Sequence, residues 1–231
     1  MNVSVEITWL GHSSFTLKTE RETLLVDPFL DESPTAPIKA SAIETDYILQ
    51  THGHFDHILD TVAIAQRTHA RVLGNFEICE WLKQQGVAED QLTAMNLGGG
   101  VNLPFGRAQM TVAHHSSGLP DGSYGGSAAG FLLDLVDLRI YISGDTALFS
   151  DMKLIGLRGI DLAILPIGDL FTLGPEDAIE AIKLLDCRRV IPCHYNTWPP
   201  IEQDVTSWAE RVRTHTTCEP LLLAPGTSIT L

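Results

Sequence analysis

Positive charge is scarce in this sequence: 15 Lys and Arg against 29 Asp and Glu give 231 residues a formal charge of −14. Such a surface repels phosphate backbones and anionic bilayers over roughly a Debye length. No Lys/Arg cluster offers a local exception, so neither nucleic acid nor a membrane surface is an expected partner. Cysteine is also sparse. Cys79, Cys187, Cys193 and Cys218 contain no C-x-x-C pair and are expected as reduced thiols in a cytoplasmic protein. The opening "MNVSVEITWLGHSSF" lacks a basic n-region and a long apolar core, and predicts neither an export signal nor a membrane span. No linker-like, low-complexity or like-charge block divides the chain, which predicts one domain over residues 1–231.

What is present is ordinary globular composition, 44% hydrophobic and 19% charged. The front half alternates apolar and polar in "VSVEITWL", "SSFTLK" and "TLLVD", as short antiparallel strands do. A proline-containing loop, "DESPTAPIKAS", leads to a buried strand, "DYILQ". The stretch "DHILDTVAIAQRTH" predicts one helix with Ile58, Leu59, Val62 and Ala65 on one face. The strand "RVLG" precedes the helix "NFEICEWLKQQG", with Asn75 as N-cap and Gly86 past its end. In the second half "AQMTVAHH", "GFLLDL", "RIYISGD", "DLAILPIGD" and "RRVIPCHY" read as strands. "GPEDAIEAIKLLDC" and "DVTSWAERVRTH" read as helices, the first with Pro175 in its first turn. The pattern predicts an α/β fold, two sheets face to face with helices outside. The halves resemble each other in outline without an exact repeat.

Three of the nine histidines fall within six positions of "THGHFDH", beside Asp56, where a strand hands over to a helix. A lone His-x-His at a turn is usually surface chemistry. Here, however, other predicted strands also end in metal donors: His114 or His115, Asp145 and His194. Strand ends in such sheets converge on one rim, and imidazole with carboxylate suits a borderline divalent metal. A carboxylate shared between two sites would hold ions roughly 3.5–4 Å apart, the spacing of two-metal hydrolysis.

"THGHFDH" resembles the His-x-His-x-Asp-His signature of the metallo-β-lactamase-fold hydrolases. "LLVDP", "HHSSG", "SGDT" and "PCHYN" resemble their remaining hallmarks. With "WLGHSSF", "YGG" and "LPIGDLFTLGPEDA", the chain is similar over nearly its whole length to a small bacterial and archaeal subgroup related to ascorbate-phosphate lactonase. The resemblance implies a four-layer αββα sandwich. It implies His52, His54 and His115 on a first ion, Asp56, His57 and His194 on a second, and Asp145 bridging. Two divalent ions per chain are implied, zinc first, with manganese or iron as alternatives. The implied chemistry is attack by a metal-bridging hydroxide, with Asp56 orienting the nucleophile or taking its proton. Asp27 matches a structural aspartate that supports the ligands without touching metal. Cys193 replaces a methionine of the subgroup and, by strand alternation, should point into the core. Adjacent residues face opposite ways, so His115, selected by "HSS", should reach the metals and His114 should not.

His12 admits two readings, a turn histidine bonded to backbone or a residue of the pocket. Ser116 and Ser117 are expected to hydrogen-bond the ligand loop. Asp169, in "PIGD", is counted with Asp27 and His12 among the supporting or pocket residues. The loops "GHSSF", "SSGLPDGSYGGSAAG" and "GDLFTLGPE" are expected to wall the pocket with Tyr124, Phe171 and Thr172, while Gly125 and Gly126 let backbone approach the substrate. They contain no Arg or Lys, which predicts a compact small-molecule substrate with at most one or two negative charges.

Several branches of the superfamily are excluded by what is missing. Di-iron flavoproteins place glutamate where His54 stands and add a flavodoxin module. Only 37 residues follow His194, room for one helix and one strand rather than a thioesterase's helical domain. Asp145 and His194 are 49 apart, too close for the inserted domain of the repair and processing nucleases. Antibiotic-hydrolysing lactamases are exported. A lactone, ester or phosphodiester hydrolase remains, against an RNA-cleaving phosphodiesterase or a metal-binding protein without catalysis. Oligomeric state is left open, a homo-oligomer included.

Overall fold

The computed structural model describes residues 4–231. Val3, the first residue of the predicted leading strand, lies outside them. The front hairpins form where alternation predicts them: β1 (Glu6–Trp9), β2 (Phe15–Lys18) and β3 (Thr23–Val26) pair antiparallel, with Ile7 opposite Leu17 and Leu17 opposite Leu24. The next strands, β4 (Tyr47–Leu49), β5 (Arg71–Asn75) and β6 (Leu92–Met95), add in parallel. A parallel strand covered on both faces needs an unbroken apolar run, and all three residues of β4 are buried.

The second sheet repeats this. Strands β7 (Gly100–Leu103), β8 (Gly106–Val112), β9 (Ala129–Leu135) and β10 (Leu138–Ile142) pair antiparallel. β11 (Leu162–Pro166), β12 (Arg189–Cys193) and β13 (Glu219–Pro220) follow in parallel. A last strand, β14 (Ser228–Thr230), returns to the first sheet beside β1. The two strand orders, β14-β1-β2-β3-β4-β5-β6 and β7-β8-β9-β10-β11-β12-β13, therefore match position by position in direction as well as number. The likeness of the halves is a repeat of topology.

Phe15, Leu17, Val26 and Leu49 of the first sheet meet Met110, Phe131, Leu133 and Ile140 of the second in one core. Outside the first sheet lie α1 (Phe55–Ile58), α2 (Thr61–Thr68) and α3 (Phe76–Gln84), packed on Leu25, Ile48 and Val72. Outside the second lie α4 (Met152–Gly156), α5 (Pro175–Leu185) and α6 (Val205–His215), which bury Met152, Ile179, Ile182, Trp208 and Val212. The result is the four-layer αββα sandwich. No described helix is long and apolar enough to cross a membrane.

Two expectations need correction. The helix predicted from Asp56 to His69 is two helices, broken at Leu59 and Asp60. The Asp60 carboxylate turns away to accept from the N–H groups of Leu30 and Asp31, at 2.6 and 3.1 Å. That rotates the covered face: Ile58, Thr61, Ile64 and Ala65 are buried, while Leu59 and Val62 are only half-buried. The tail after His194 holds α6 and two short strands rather than one. The four thiols are free and buried, as expected, and Cys187 and Cys218, remote in sequence, lie 3.7 Å apart.

Candidate metal centre

The strand ends of both sheets meet at one rim. The loop after β4 brings His52 and His54, and α1 brings Asp56 and His57. The β8–β9 loop brings His115, the turn after β10 Asp145, and the end of β12 His194. Asp145 Oδ2 is 3.1 Å from His194 Nε2, 3.3 Å from His57 Nε2, 3.7 Å from His115 Nε2 and 3.9 Å from His52 Nε2. One carboxylate oxygen thus stands between two groups of imidazoles. Three sets of donors are close enough for an ion: His52 with His54 and His115, Asp56 with His57, His194 and His12, and, one layer behind, Asp27 with His52 and His57.

The layer behind these side chains fixes which nitrogen each presents. Asp27, buried and held at φ +41°, accepts from Thr51 N–H at 2.8 Å, from Thr51 Oγ1 at 2.5 Å and from Gln50 Nε2 at 3.2 Å. Its Oδ2 also lies 2.8 Å from His57 Nδ1, so that nitrogen carries a proton and Nε2 faces the site. Thr51 has one hydroxyl proton, and it goes to Asp27. The hydroxyl must then accept from His52 Nδ1 at 3.0 Å, which frees His52 Nε2. His54 is turned the other way: Nε2 meets Ser116 Oγ at 3.2 Å and Nδ1 faces His52 Nε2 at 3.1 Å. Ser117 accepts from Gly53 N–H at 3.0 Å and donates to the Gly125 carbonyl at 2.9 Å, tying the two ligand loops together.

Three buried atoms of the donor residues have no hydrogen-bond partner among the described residues: His194 Nδ1, on the Gly168 side of its ring, and His57 Nε2 and Asp145 Oδ1 at the centre. Unpaired donors and acceptors at full burial are costly, and a divalent cation would satisfy the two at the centre. The charges show the same strain. Burial works against a charge on His57, but the carboxylates of Asp145 and Asp27 on either side raise its pKa well above the ordinary value. Burial, with His57 next, holds His52 well below it. The donor set fits a divalent metal.

His12 is neither a turn histidine bonded to backbone through its ring nor a cavity-lining residue, but a supporting residue. It is buried at 0% exposure beneath the rim, with φ +49°, and does not line the cavity in front of the donors. Its ring bonds side chains instead of backbone: Nε2 lies 3.1 Å from Asp56 Oδ2 and Nδ1 2.8 Å from Thr197 Oγ1. Its carbonyl accepts from His194 N–H at 3.0 Å, which links the two histidines across the sheets. Burial, then the neighbouring His194, lowers its pKa to about 3, so the ring is neutral.

His114 points elsewhere, its ring stacked on Phe149 at 4.8 Å between centroids. Cys193 is buried and belongs to the core cluster. Asp169 is exposed in the loop after β11, its N–H donating to the Leu173 carbonyl, and lines neither cavity described below. The close approaches of Gly125 and Gly126 are to Ser117 and Asn75: an added Cβ would lie 2.4 Å from the Ser117 carbonyl and 2.6 Å from Asn75 Nδ2.

A cavity of about 510 Å³ opens over the donors, lined by His54, Phe55, Asp56, His115, Ser116, Asp145, Phe171, His194 and Trp198. Tyr124 lines a neighbouring cavity of about 760 Å³, which shares His115 and Ser116. Of the expected wall, "GHSSF" is buried and contributes nothing, whereas Ser116 and Phe171 do line the main cavity. Thr51, Gln50, Thr197, Phe55 and Trp198 also build the site and fall outside the sequence-based expectations. Thr51 and Phe55 flank donors inside "THGHFDH", and that adjacency was the available signal.

A family model described as a beta-lactamase superfamily domain matches residues 22–195, from β3 through the last metal-donor histidine. The chain belongs to the metallo-β-lactamase superfamily. It is 46% identical over 209 residues to a protein of Thermus thermophilus named UPF0173 metal-dependent hydrolase, covering 90% of this chain and 92% of that one. A protein of the same name from Heliobacterium modesticaldum is 42% identical over 235 residues, covering 98% of each. Among solved structures, a novel metallo hydrolase from the archaeon Ignicoccus hospitalis superposes with a TM-score of 0.89 at 32% identity, over 99% of this chain and 98% of that one. This superfamily member is a metal-dependent hydrolase with a histidine- and aspartate-rich site able to bind metal.

Proposed function

We propose that the protein is a dinuclear hydrolase of a small lactone, ester or phosphodiester, with zinc as the first candidate metal and manganese or iron as alternatives. The observation that carries this reading is the position of Asp145 Oδ2, within 3.9 Å of four imidazoles belonging to two donor sets. Seven donors exceed what one tetrahedral ion takes. His52, His54 and His115 would hold one ion, Asp56, His57 and His194 the other, and Asp145 both. Ions bound there supply a water made acidic near pH 7 and positive charge for the developing oxyanion.

The chain's own residues do the rest. Thr51 and Asp27 keep His52 and His57 in the tautomers that present Nε2. His12 N–H holds Asp56 Oδ2 in place, where Asp56 can orient the nucleophile or take its proton. No Lys or Arg is among the described residues lining the cavity, so a substrate with at most one or two negative charges fits better than a polyanion.

The test is metal stoichiometry by native mass spectrometry with elemental analysis, followed by a lactone, ester and phosphodiester panel with the metal found. Two ions per chain are expected, falling to at most one in Asp145→Asn. A single ion in the unmodified chain at metal excess would reject the dinuclear reading.

A further inference from the structure

The cavity over the donors is walled by rings. Phe55 and Phe171 keep 50% and 57% of their surface exposed, and Leu170 beside Phe171 keeps 65%. Trp198 completes the wall, 6.2 Å from Phe55 between centroids. Behind them Phe29, fully buried, packs at 5.8 Å on both Phe55 and Trp198 and braces these two rings. Aromatic surface left in water over a polar floor costs stability with no return in the free protein, and such patches mark ligand sites. Apart from the metal donors, the described lining residues are Ser116 and the three aromatic residues Phe55, Phe171 and Trp198. A substrate's reacting group can therefore be held at the floor, while its remainder meets little but aromatic carbon. At about 510 Å³ the space suits one small molecule with a ring or a medium alkyl chain.

We propose that the substrate is amphiphilic, with its hydrolysable group at the histidines and an aryl or medium-length alkyl group packed against Phe55, Phe171 and Trp198. This rests on the dinuclear-hydrolase reading and adds its specificity determinant. The hydrolytic step is unchanged: water adds across the acyl or phosphoryl bond, and the apolar group only anchors.

Binding can be read without turnover. Protein loaded with cobalt(II) is titrated with acetohydroxamate and with phenylacetohydroxamate, followed by its visible spectrum. Burying the phenyl group should make the second probe bind at least about tenfold tighter. Phe171→Ala and Trp198→Ala should each shrink that ratio to below about threefold, while the small probe's affinity moves less than about twofold. Equal affinities, an undiminished ratio in both variants, or no binding of either probe would overturn the proposal. Metal content of the same samples separates the failures. Two ions with equal affinities reject only the aromatic anchor, whereas fewer than two reject the dinuclear reading.

Discussion

In the metal-free protein His57 lies between two carboxylates, and that sandwich sets a proton balance. Asp145 and Asp27 outweigh burial and raise its pKa well above 6.5, so the ring carries a proton at pH 7. The stabilisation from this proton is full below the unfolded-state value and is lost as pH rises through the folded one. A metal ion needs the Nε2 lone pair and must expel the proton; His52 and His12, already neutral, release none. Loading zinc at pH 7 should therefore release about one proton per chain from His57, beyond any given up by metal-bound water, and affinity should rise with pH. Calorimetry in two buffers of different ionisation enthalpy counts the protons; zero would show a neutral His57. His12 gives a second residue-scale prediction. With its N–H on Asp56, His12→Leu should weaken one ion by about 10–100-fold and spare the other. Stepwise metal titration distinguishes this from an equal loss at both sites, which would mean that His12 supports the fold generally. The neighbouring pair sharpens the contrast: His115→Ala should cost an ion, and His114→Ala, whose ring stacks on Phe149, should cost none.

At the scale of elements, Asn75 couples the two halves. Its Oδ1 accepts from Ile78 N–H at 2.8 Å and caps α3, while Nδ2 donates to the carbonyls of Gly125 and Ser127, in the loop that also carries His115. Asn75→Asp keeps the cap and loses the donors, leaving a carboxylate against two carbonyls. It should destabilise by about 2–3 kcal/mol in urea melts, as much as Asn75→Ala. A near-native Asn75→Asp would mean that the cap alone matters. The cap was legible in "NFEI" because it is local; the bonds to Gly125 and Ser127 span fifty residues and leave no periodic trace. The same division runs through the fold. Alternation and apolar runs located β1 to β5 and β8 to β12, whereas β7 and β14 are short, half-exposed edge strands without a strong pattern. The break at Asp60 was illegible because its cause is the distant loop at Leu30 and Asp31. At the site the donors were readable as types at strand ends. Thr51 and Thr197 were not, since a threonine beside a histidine has no distinctive spacing.

For the whole molecule, the decisive quantity is the sign of its field. The chain carries −14, and the metal-donor residues share one cavity with Phe55, Phe171 and Trp198 rather than lying on an exposed basic track. A polyanion must be held along several phosphates, each contact releasing counterions and steepening the dependence on salt. Here the described cavity offers no Lys or Arg for such contacts. The long-range field repels the strand before it arrives, by an amount that salt would reduce rather than increase. A small neutral or singly charged ester feels little of that field. Turnover of small lactones and diesters should therefore change less than about twofold between 50 and 200 mM salt, and structured RNA should remain uncut throughout. Both can be followed in parallel, by absorbance for the small substrates and by gel for end-labelled RNA. RNA cleavage that is strong at low salt and collapses as salt rises would show a cationic track at work, and would move the assignment to a phosphodiesterase acting on nucleic acid.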